Sequence, residues 1–243
     1  MLDLPGAPSF PAAQLRAPVT THLDLDQKLG HVCEEALRLL LESDPNYKIL
    51  VDHHQLRIDR HRTVGEVDFL LNRLSDNAFL HLELAVKFYL AVEQETGVLL
   101  PGPDARDNYY RKLKRLQTHQ LLLAQRYPNL LPTELQEIRF QPTQLVHGCL
   151  FDHLSAPKEA IAPFLNPDCR RGKWIRKSEL KAELPGASFE LIPKPLWPVP
   201  YDQLPETLDE IEILASSNRC FLTRCSALDQ VLFVTPDSFP EQT

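Results

Sequence analysis

Two neighbouring stretches decide the fold of this chain: GEVDFLL at residues 65–71 and FLHLELAVKFYL at residues 79–90. Both are rich in the branched and aromatic residues that favour β-strands, and the segment SDN before the second stretch is typical of a tight hairpin turn. Each stretch nevertheless carries charge into its apolar run, at Asp68, Glu83 and Lys87. Burying an unpaired ion costs on the order of several kcal/mol. These charges are therefore expected either to pair with each other or to hold a metal ion.

The segments around this hairpin predict a mixed α/β core. A helix is expected to begin near Asp24 or Asp26, which are good N-cap residues, and to end near Glu42. The expected strands are 47–58, 65–74, 78–93 and 144–154, and a second long helix is expected over 107–125. The order helix, three strands, helix, strand is typical of a mixed sheet flanked by helices.

Beyond residue 155 the pattern is weaker. Six prolines between residues 185 and 205 predict an extended segment or an edge strand, because proline cannot donate to a β-ladder. Residues 204–217 are expected to form a helix, and the stretches 219–226 and 230–236 to form two last strands or a strand and coil. The chain is thus divided into a Pro/Ala-rich arm (1–23), a core (24–155) and an extension packed on the core (156–243).

Composition limits the class of protein. The chain has 243 residues, of which 43% are apolar, enough for a sizeable core. Five cysteines without a CxxC pair indicate reduced thiols and argue against a zinc site. No apolar run approaches the ~20 residues that span a bilayer, and the N-terminus lacks the features of a signal peptide. A cytoplasmic protein without a membrane segment is expected.

Charge argues against one kind of nucleic-acid binding. A net charge of −7 does not suit a protein that coats nucleic acid, because such binding depends on Lys and Arg contacts to phosphate. It does not exclude a nuclease, whose metal site must itself be acidic. The stretch CRRGKWIRK (169–177) is the basic exception, with five Lys or Arg residues. Such a cluster is more often a solvated loop or cap than a phosphate contact.

Strand alternation groups the charges of the opening stretches. Glu66 and Asp68 share one face of their strand, and Glu83 and Lys87 share one face of the next. Carboxylates from both strands, a third from the preceding helix and a lysine would make a site for a hard cation such as Mg²⁺, with the lysine near a reacting phosphate. The alternative is a buried structural ion pair between Asp68 and Lys87.

Several motifs resemble a known superfamily. They are LGHVCEEAL, TVGEVDFLL, HLELAVKFYL, GPDARDNYYRKLKRLQTHQL, GKWIR and PKPLW. Together they resemble the PD-(D/E)xK nucleases and, more closely, an uncharacterised bacterial family of unknown function within that superfamily. The resemblance covers most of the chain. It implies a restriction-endonuclease-like αβββαβ core over residues 24–155, followed by a Pro-rich C-terminal extension.

The resemblance also implies metal ligands. Asp68 matches the second-strand aspartate of the superfamily and Glu83 the third-strand glutamate. Glu34 matches the glutamate that many members carry on the first helix. These three residues are expected to bind Mg²⁺ or Mn²⁺.

The catalytic lysine departs from the superfamily pattern of Glu-x-Lys. Ala85 stands two residues after Glu83, and Lys87 stands four after it, ~13 Å along a strand rather than ~6.6 Å. A cation must come from Lys87, which lies within an apolar run, or from Lys112 on the following helix. Lys112 would share its helix face with Arg115 and His119.

The expected function is hydrolysis of a phosphodiester by a metal-dependent, nuclease-like enzyme. The alternative is an inactive descendant of the fold that binds nucleic acid or a protein partner. The residues expected to contact nucleic acid are Arg170, Arg171, Lys173, Arg176, Lys177 and His119.

Overall fold

The structure is a computed structural model that describes residues 7–15, 22–95, 97–213 and 218–241. Within these residues the α-helices are α1 (Leu29–Ser43), α2 (Tyr109–Thr118), α3 (Leu123–Arg126) and α4 (Leu180–Glu183). The strands are β1 (Tyr47–Arg57), β2 (Thr63–Arg73), β3 (Ala78–Leu90), β4 (Val92–Gln94), β5 (Gly97–Leu99), β6 (Gln141–His153), β7 (Arg171–Arg176), β8 (Phe189–Leu191), β9 (Phe221–Cys225) and β10 (Val231–Thr235). Short 3₁₀ turns lie at Ala12–Gln14, Gln120–Leu122, Pro128–Leu130, Thr133–Leu135, Lys177–Glu179, Lys194–Leu196 and Tyr201–Gln203.

Eight of these strands form one mixed sheet in the order β1-β2-β3-β6-β7-β10-β9-β8, and β4 pairs with β5 in a separate hairpin. The β1–β2–β3 meander is antiparallel, whereas β7 pairs in parallel with both β6 and β10. The predicted α/β architecture, a large mixed sheet flanked by helices, is confirmed. None of the described helices is long and apolar enough to cross a membrane.

The chain divides into two compact units. Unit A comprises Leu2–Val86 and Leu113–His147, and unit B comprises Lys87–Lys112 and Gly148–Thr243. The strands β3 and β6 contribute residues to both units.

Two hydrophobic clusters lie among the described residues of unit A. In the first, Leu37 and Leu41 of α1 pack against strand residues of β2 and β3, namely Phe69, Leu71, Leu80 and Leu82. In the second, Leu70 of β2 packs with Leu123 of α3 and Phe140. Adjacent residues of β2 therefore serve opposite faces, as strand alternation requires.

Part of the N-terminal arm docks on unit A. Phe10 is buried, with 4% of its surface exposed, and its N–H donates to the carbonyl of Gln144 at 2.7 Å. The Gln144 amide donates in turn to the carbonyl of Ala7 at 3.0 Å. Residues 1–6 and 16–21 of the predicted arm lie outside the described residues.

Unit B is built around aromatic residues. Trp174 of β7 is 1% exposed, and its indole N–H donates to the carbonyl of Ala91 at 2.8 Å. The ring of Phe233 contacts those of Phe151 and Trp197, with centroids 4.6 Å and 5.0 Å apart. Both tryptophans are packing residues.

The first predicted helix begins later than expected. Asp24 does not cap it, because its Oδ1 accepts the N–H of Asp26 at 3.1 Å in a local turn. The helix α1 starts at Leu29, and its N-cap position is Lys28, which makes no side-chain cap. The second predicted helix ends at Thr118 rather than Gln125.

Two other expectations are wrong. Residues 171–176 form the parallel strand β7 rather than a loop, and Gly172 leaves room there for the ring of Phe151. Residues 204–213 form no α-helix. The Leu191 N–H donates to the carbonyl of Asp209, and the Ile211 N–H donates to the carbonyl of Phe189. These bonds hold the segment against the edge strand β8. Its backbone groups are thus paired with a strand rather than within a helix. Residues 214–217 lie outside the described part of the chain.

Candidate functional site

Glu83 lies in a buried hydrogen-bond network. Leu80 and Leu82 face α1, so His81 and Glu83, which alternate with them, point to the opposite face of the sheet. The imidazole Nε2 of His81 lies 2.8 Å from Oε1 of Glu83, and the Gln120 amide donates to Oε2 at 3.1 Å. Both paired side chains are only 1% exposed. Each carboxylate oxygen of Glu83 therefore already has a protein partner.

Asp68 is bound to the neighbouring strand. The described β2–β3 pairing ends at Phe69 opposite Leu82, and one further antiparallel step would set Asp68 opposite Glu83. The Asp68 carboxylate instead accepts the backbone N–H of Leu84 at 2.8 Å. This side-chain bond links the two strands just beyond their last paired residues. Asp68 is half-buried.

Glu34 belongs to a different group of side chains. Its Oε2 lies 3.0 Å from Nδ1 of His31 and 3.8 Å from Nδ1 of His53. The same His53 nitrogen lies 3.5 Å from Oε1 of Glu66. His53 has a φ of 47°, which is rare outside glycine but commoner for histidine. Beside this group, burial raises the pKa of the Cys33 thiol to about 11, and the Glu34 charge adds to the effect.

This group lines an open cleft of about 630 Å³ on the α1 face of the sheet. All of its lining side chains are polar: His22, Asp24, Gln27, His31, Glu34, Glu35, His53, Gln55, Arg57 and Glu66. Sequence reasoning named only Glu34 among them as a site residue. Two signals were present: His31 lies one turn before Glu34, and Gln55 and Glu66 alternate with apolar strand residues. Neither signal shows, from the sequence alone, that β1 and β2 place Gln55 and Glu66 beside α1.

The structure thus places Glu34 apart from Glu83, whereas Asp68 lies beside the strand that carries Glu83. Glu34 lies on α1, whereas Glu83 points to the sheet face that α1 does not cover. Across the described ranges, no group of three or more His, Cys, Asp and Glu side chains is arranged to hold a metal ion.

Lys87 is paired within unit B. Its Nζ lies 2.6 Å from Oδ2 of Asp107, and the two side chains are 29% and 38% exposed. Asp107 also accepts the N–H of Asn108 through Oδ1 at 2.9 Å, immediately before α2. Lys112 lies on α2 and is half-buried. The alternative of an Asp68–Lys87 ion pair does not describe Lys87, whose carboxylate partner is Asp107.

A family model with the description "Domain of unknown function (DUF1853)" matches residues 11–231. The chain belongs to this family. No curated protein and no solved structure matches it. The DUF1853 match includes residues of both unit A and unit B, and it ends at Val231, the first residue of β10.

Within this DUF1853 chain, the arginines that precede and begin β7 hold loops in place. The Arg170 guanidinium donates to the carbonyls of Trp197 and Pro198, each at 2.6 Å. Arg171 donates to the buried carboxylate of Asp152 at 2.9 Å and to the carbonyl of Ala160 at 3.0 Å. These contacts satisfy several guanidinium donors within unit B.

The end of the same basic stretch is engaged in a similar way. Arg176 lies over the ring of Trp174 at 5.2 Å, and Lys177 lies over the ring of Phe221 at 5.5 Å. Lys177 is 8% exposed, and burial lowers its pKa. Lys173, which precedes both residues, is half-buried. The Lys and Arg side chains of residues 170–177 are therefore less exposed than the sequence suggests. A phosphate-binding role for this stretch stays a prediction.

His119 follows α2 directly and is also bound internally. Its Nε2 lies 2.9 Å from the carbonyl of Val64 on β2. The contact fixes the end of α2 against β2 within unit A. Contact between His119 and nucleic acid likewise stays a prediction.

Proposed function

We propose that this chain is a nuclease-fold protein that binds nucleic acid without hydrolysing it. The observation that carries the proposal is the state of Glu83, whose two oxygens bond to His81 and Gln120 in a nearly solvent-free environment. Glu83 is the residue that would anchor a catalytic metal if the resemblance to PD-(D/E)xK nucleases extended to activity.

The residues do not fit Mg²⁺ as they are arranged. Mg²⁺ requires near-octahedral oxygen coordination and usually keeps several waters. A side chain that is 1% exposed leaves no room for those waters, and its carboxylate would first have to release both partners. Asp68, which would be the second ligand, already accepts the Leu84 N–H. The network instead serves as a polar element of the core.

Basic surface supports a nucleic-acid partner. The helix α2 has four Lys or Arg residues and no acidic residue, although the whole chain has a net charge of −7. Lys114 and Arg115 are exposed on this helix, and Arg126 is exposed nearby, with its guanidinium bonded to the carbonyl of Thr118. Exposed cations of this kind can contact phosphates.

Binding and cleavage can be tested together. Fluorescence anisotropy with labelled 30-mer duplex DNA, single-stranded DNA and RNA, each at 50 and 200 mM salt, should reveal binding that weakens as salt rises. The same substrates incubated with Mg²⁺ or Mn²⁺ should remain intact. Absence of binding to every substrate would contradict the proposal.

The second candidate is a metal-dependent phosphodiester hydrolase with Asp68 and Glu83 as ligands, aided by Glu34. The β2–β3 register favours it, because one further step brings Asp68 opposite Glu83. Cleavage that requires Mg²⁺ or Mn²⁺ and disappears in Asp68→Asn would establish this candidate and overturn the first. Cleavage that survives Asp68→Asn would point to a contaminating nuclease.

A further inference from the structure

The β1–β2 hairpin ends in a fully exposed basic tip. The two strands pair as far as Arg57 opposite Thr63, and the Ile58 N–H donates to the carbonyl of Arg62 at 2.9 Å. All seven residues from Arg57 to Thr63 are exposed. We call residues 57–63 the hairpin tip.

The base of the hairpin is firmly packed just below the tip. Leu56 is fully buried, and a Cβ added to Gly65, its partner across the hairpin, would lie 2.8 Å from Cδ1 of Leu123. His119 bonds the carbonyl of Val64. The exposed tip therefore stands on a base held on the α3 side by close contacts, which fixes its direction and lowers the entropy lost when a partner binds.

The tip carries unpaired positive charge. The guanidinium groups of Arg60 and Arg62 have no hydrogen-bond or ion-pair partner within the described parts of the chain. The single acid of the tip, Asp59, accepts the N–H of His61 through Oδ1 at 2.8 Å and so forms the turn. Ile58 adds an apolar group to the tip, with 46% of its surface exposed.

We infer that the hairpin tip lies in a groove of duplex nucleic acid, with Arg60 and Arg62 bound to backbone phosphates. This rests on the proposed function and names the contact surface. Arginine suits phosphate because its planar fork can donate two parallel hydrogen bonds. A two-stranded β-ribbon fits the major groove of B-DNA, which is about 12 Å wide. Ile58 packs against the sugars of the groove wall, a contact that an acidic peptide or a lipid headgroup would not require.

The test compares two variants with equal charge change. R60Q/R62Q removes both guanidinium groups of the tip, and K28Q/K48Q removes two exposed cations elsewhere in unit A. Duplex DNA binding is measured by anisotropy from 50 to 300 mM salt. R60Q/R62Q should weaken binding at least about tenfold at 150 mM salt. It should also reduce the slope of log K against log[salt] by about 1.8, because each phosphate contact contributes about 0.9. K28Q/K48Q should match the wild type within about twofold.

The outcomes separate this inference from the proposed function. If wild-type protein binds duplex and R60Q/R62Q binds equally well, the tip is not the contact surface, while the proposed function stands. If wild-type protein binds no nucleic acid, both fail. If R60Q/R62Q loses binding to polyglutamate or to anionic vesicles but not to duplex, the tip serves another partner and the inference is overturned. Thermal unfolding should be unchanged in both variants, because all four side chains are exposed.

Discussion

Replacing Glu83 by alanine should destabilise the protein strongly. The change leaves the His81 imidazole and the Gln120 amide without their acceptor, at a position where the side chain is 1% exposed. Leaving a buried polar group unsatisfied costs about 1–3 kcal/mol, and here two groups lose the Glu83 acceptor, so a loss of about 2–6 kcal/mol is expected. For a chain of this size each kcal/mol lowers the melting temperature by about 2–4 °C, so a fall of roughly 4–24 °C is expected. Circular dichroism at 222 nm during heating measures it.

Two further variants distinguish a structural network from a metal ligand. Glu83→Gln keeps an acceptor for His81 and should cost much less than Glu83→Ala. The double variant H81L/E83L replaces both polar groups by apolar ones and should recover part of the lost stability, because no imidazole is then left unsatisfied, although the Gln120 amide still loses Glu83. A melting temperature for Glu83→Ala within 2 °C of the wild type would refute the reasoning. So would a wild-type protein that Mg²⁺ stabilises while Glu83→Gln does not respond, because that result would make Glu83 a ligand.

Other changes follow from the same geometry. Asp68→Asn retains an acceptor for the Leu84 N–H, so weakening of this bond alone should lower the free energy of unfolding in urea by about 0.5–1.5 kcal/mol, and an unchanged free energy would contradict a role for the carboxylate charge in that contact. Lys87→Met should cost at most about 1 kcal/mol, because its ion pair is partly exposed; if hydrolysis is ever measured, comparing Lys87→Met with Lys112→Met shows which lysine serves it. Gly172→Ala should cost about 1–3 kcal/mol, because the new Cβ would lie 2.6 Å from an aromatic carbon, and an unchanged melting temperature would be inconsistent with that approach. Burial raises the pKa of the Cys149 thiol from 9.0 to about 11. The contribution of the neutral thiol to the free energy of unfolding is therefore fully present below pH 9 and is lost as the pH rises to 11. The free energy of unfolding of Cys149→Ala, measured in urea, should therefore fall less steeply between pH 9 and pH 11 than that of the wild type. Equal slopes for the two proteins would contradict this reasoning.

Strand periodicity predicted the centre of the fold well. The runs that contain Asp68 and Glu83 are rich in branched and aromatic residues, and both form strands within two or three residues of the expected bounds. Their apolar residues decide the outcome locally, because each face must be buried. The cap at Asp24 failed because an aspartate can form a local turn as readily as it can cap a helix.

Long-range pairing explains the larger errors. Residues 171–176 contain three charged side chains, and only the parallel neighbours β6 and β10 make them a strand. Residues 204–213 have a helical pattern, yet their backbone bonds to β8. Such long-range pairing overrides the local secondary-structure propensity, and it cannot be predicted from a short segment of the sequence.

The candidate site was predictable only in part. Alternation alone sets Glu83 on the side opposite Leu80 and Leu82. Which side the first helix covers cannot be read from the sequence, and that choice separates Glu34 from Glu83. The pairing of Lys87 with Asp107 was equally hidden, because it depends on a loop twenty residues away.

The strand β1 forms one edge of the large sheet, and its irregularity has a consequence for self-association. An open edge offers unpaired backbone groups to strands of other molecules, which is a route to aggregation. Here a register shift between Ile49 and Val51 and the positive φ of His53 bend the edge at two places. Lys48 and Asp52 add exposed charge along it. A second molecule could not extend the sheet here in regular register, so this edge should remain unpaired even at high protein concentration.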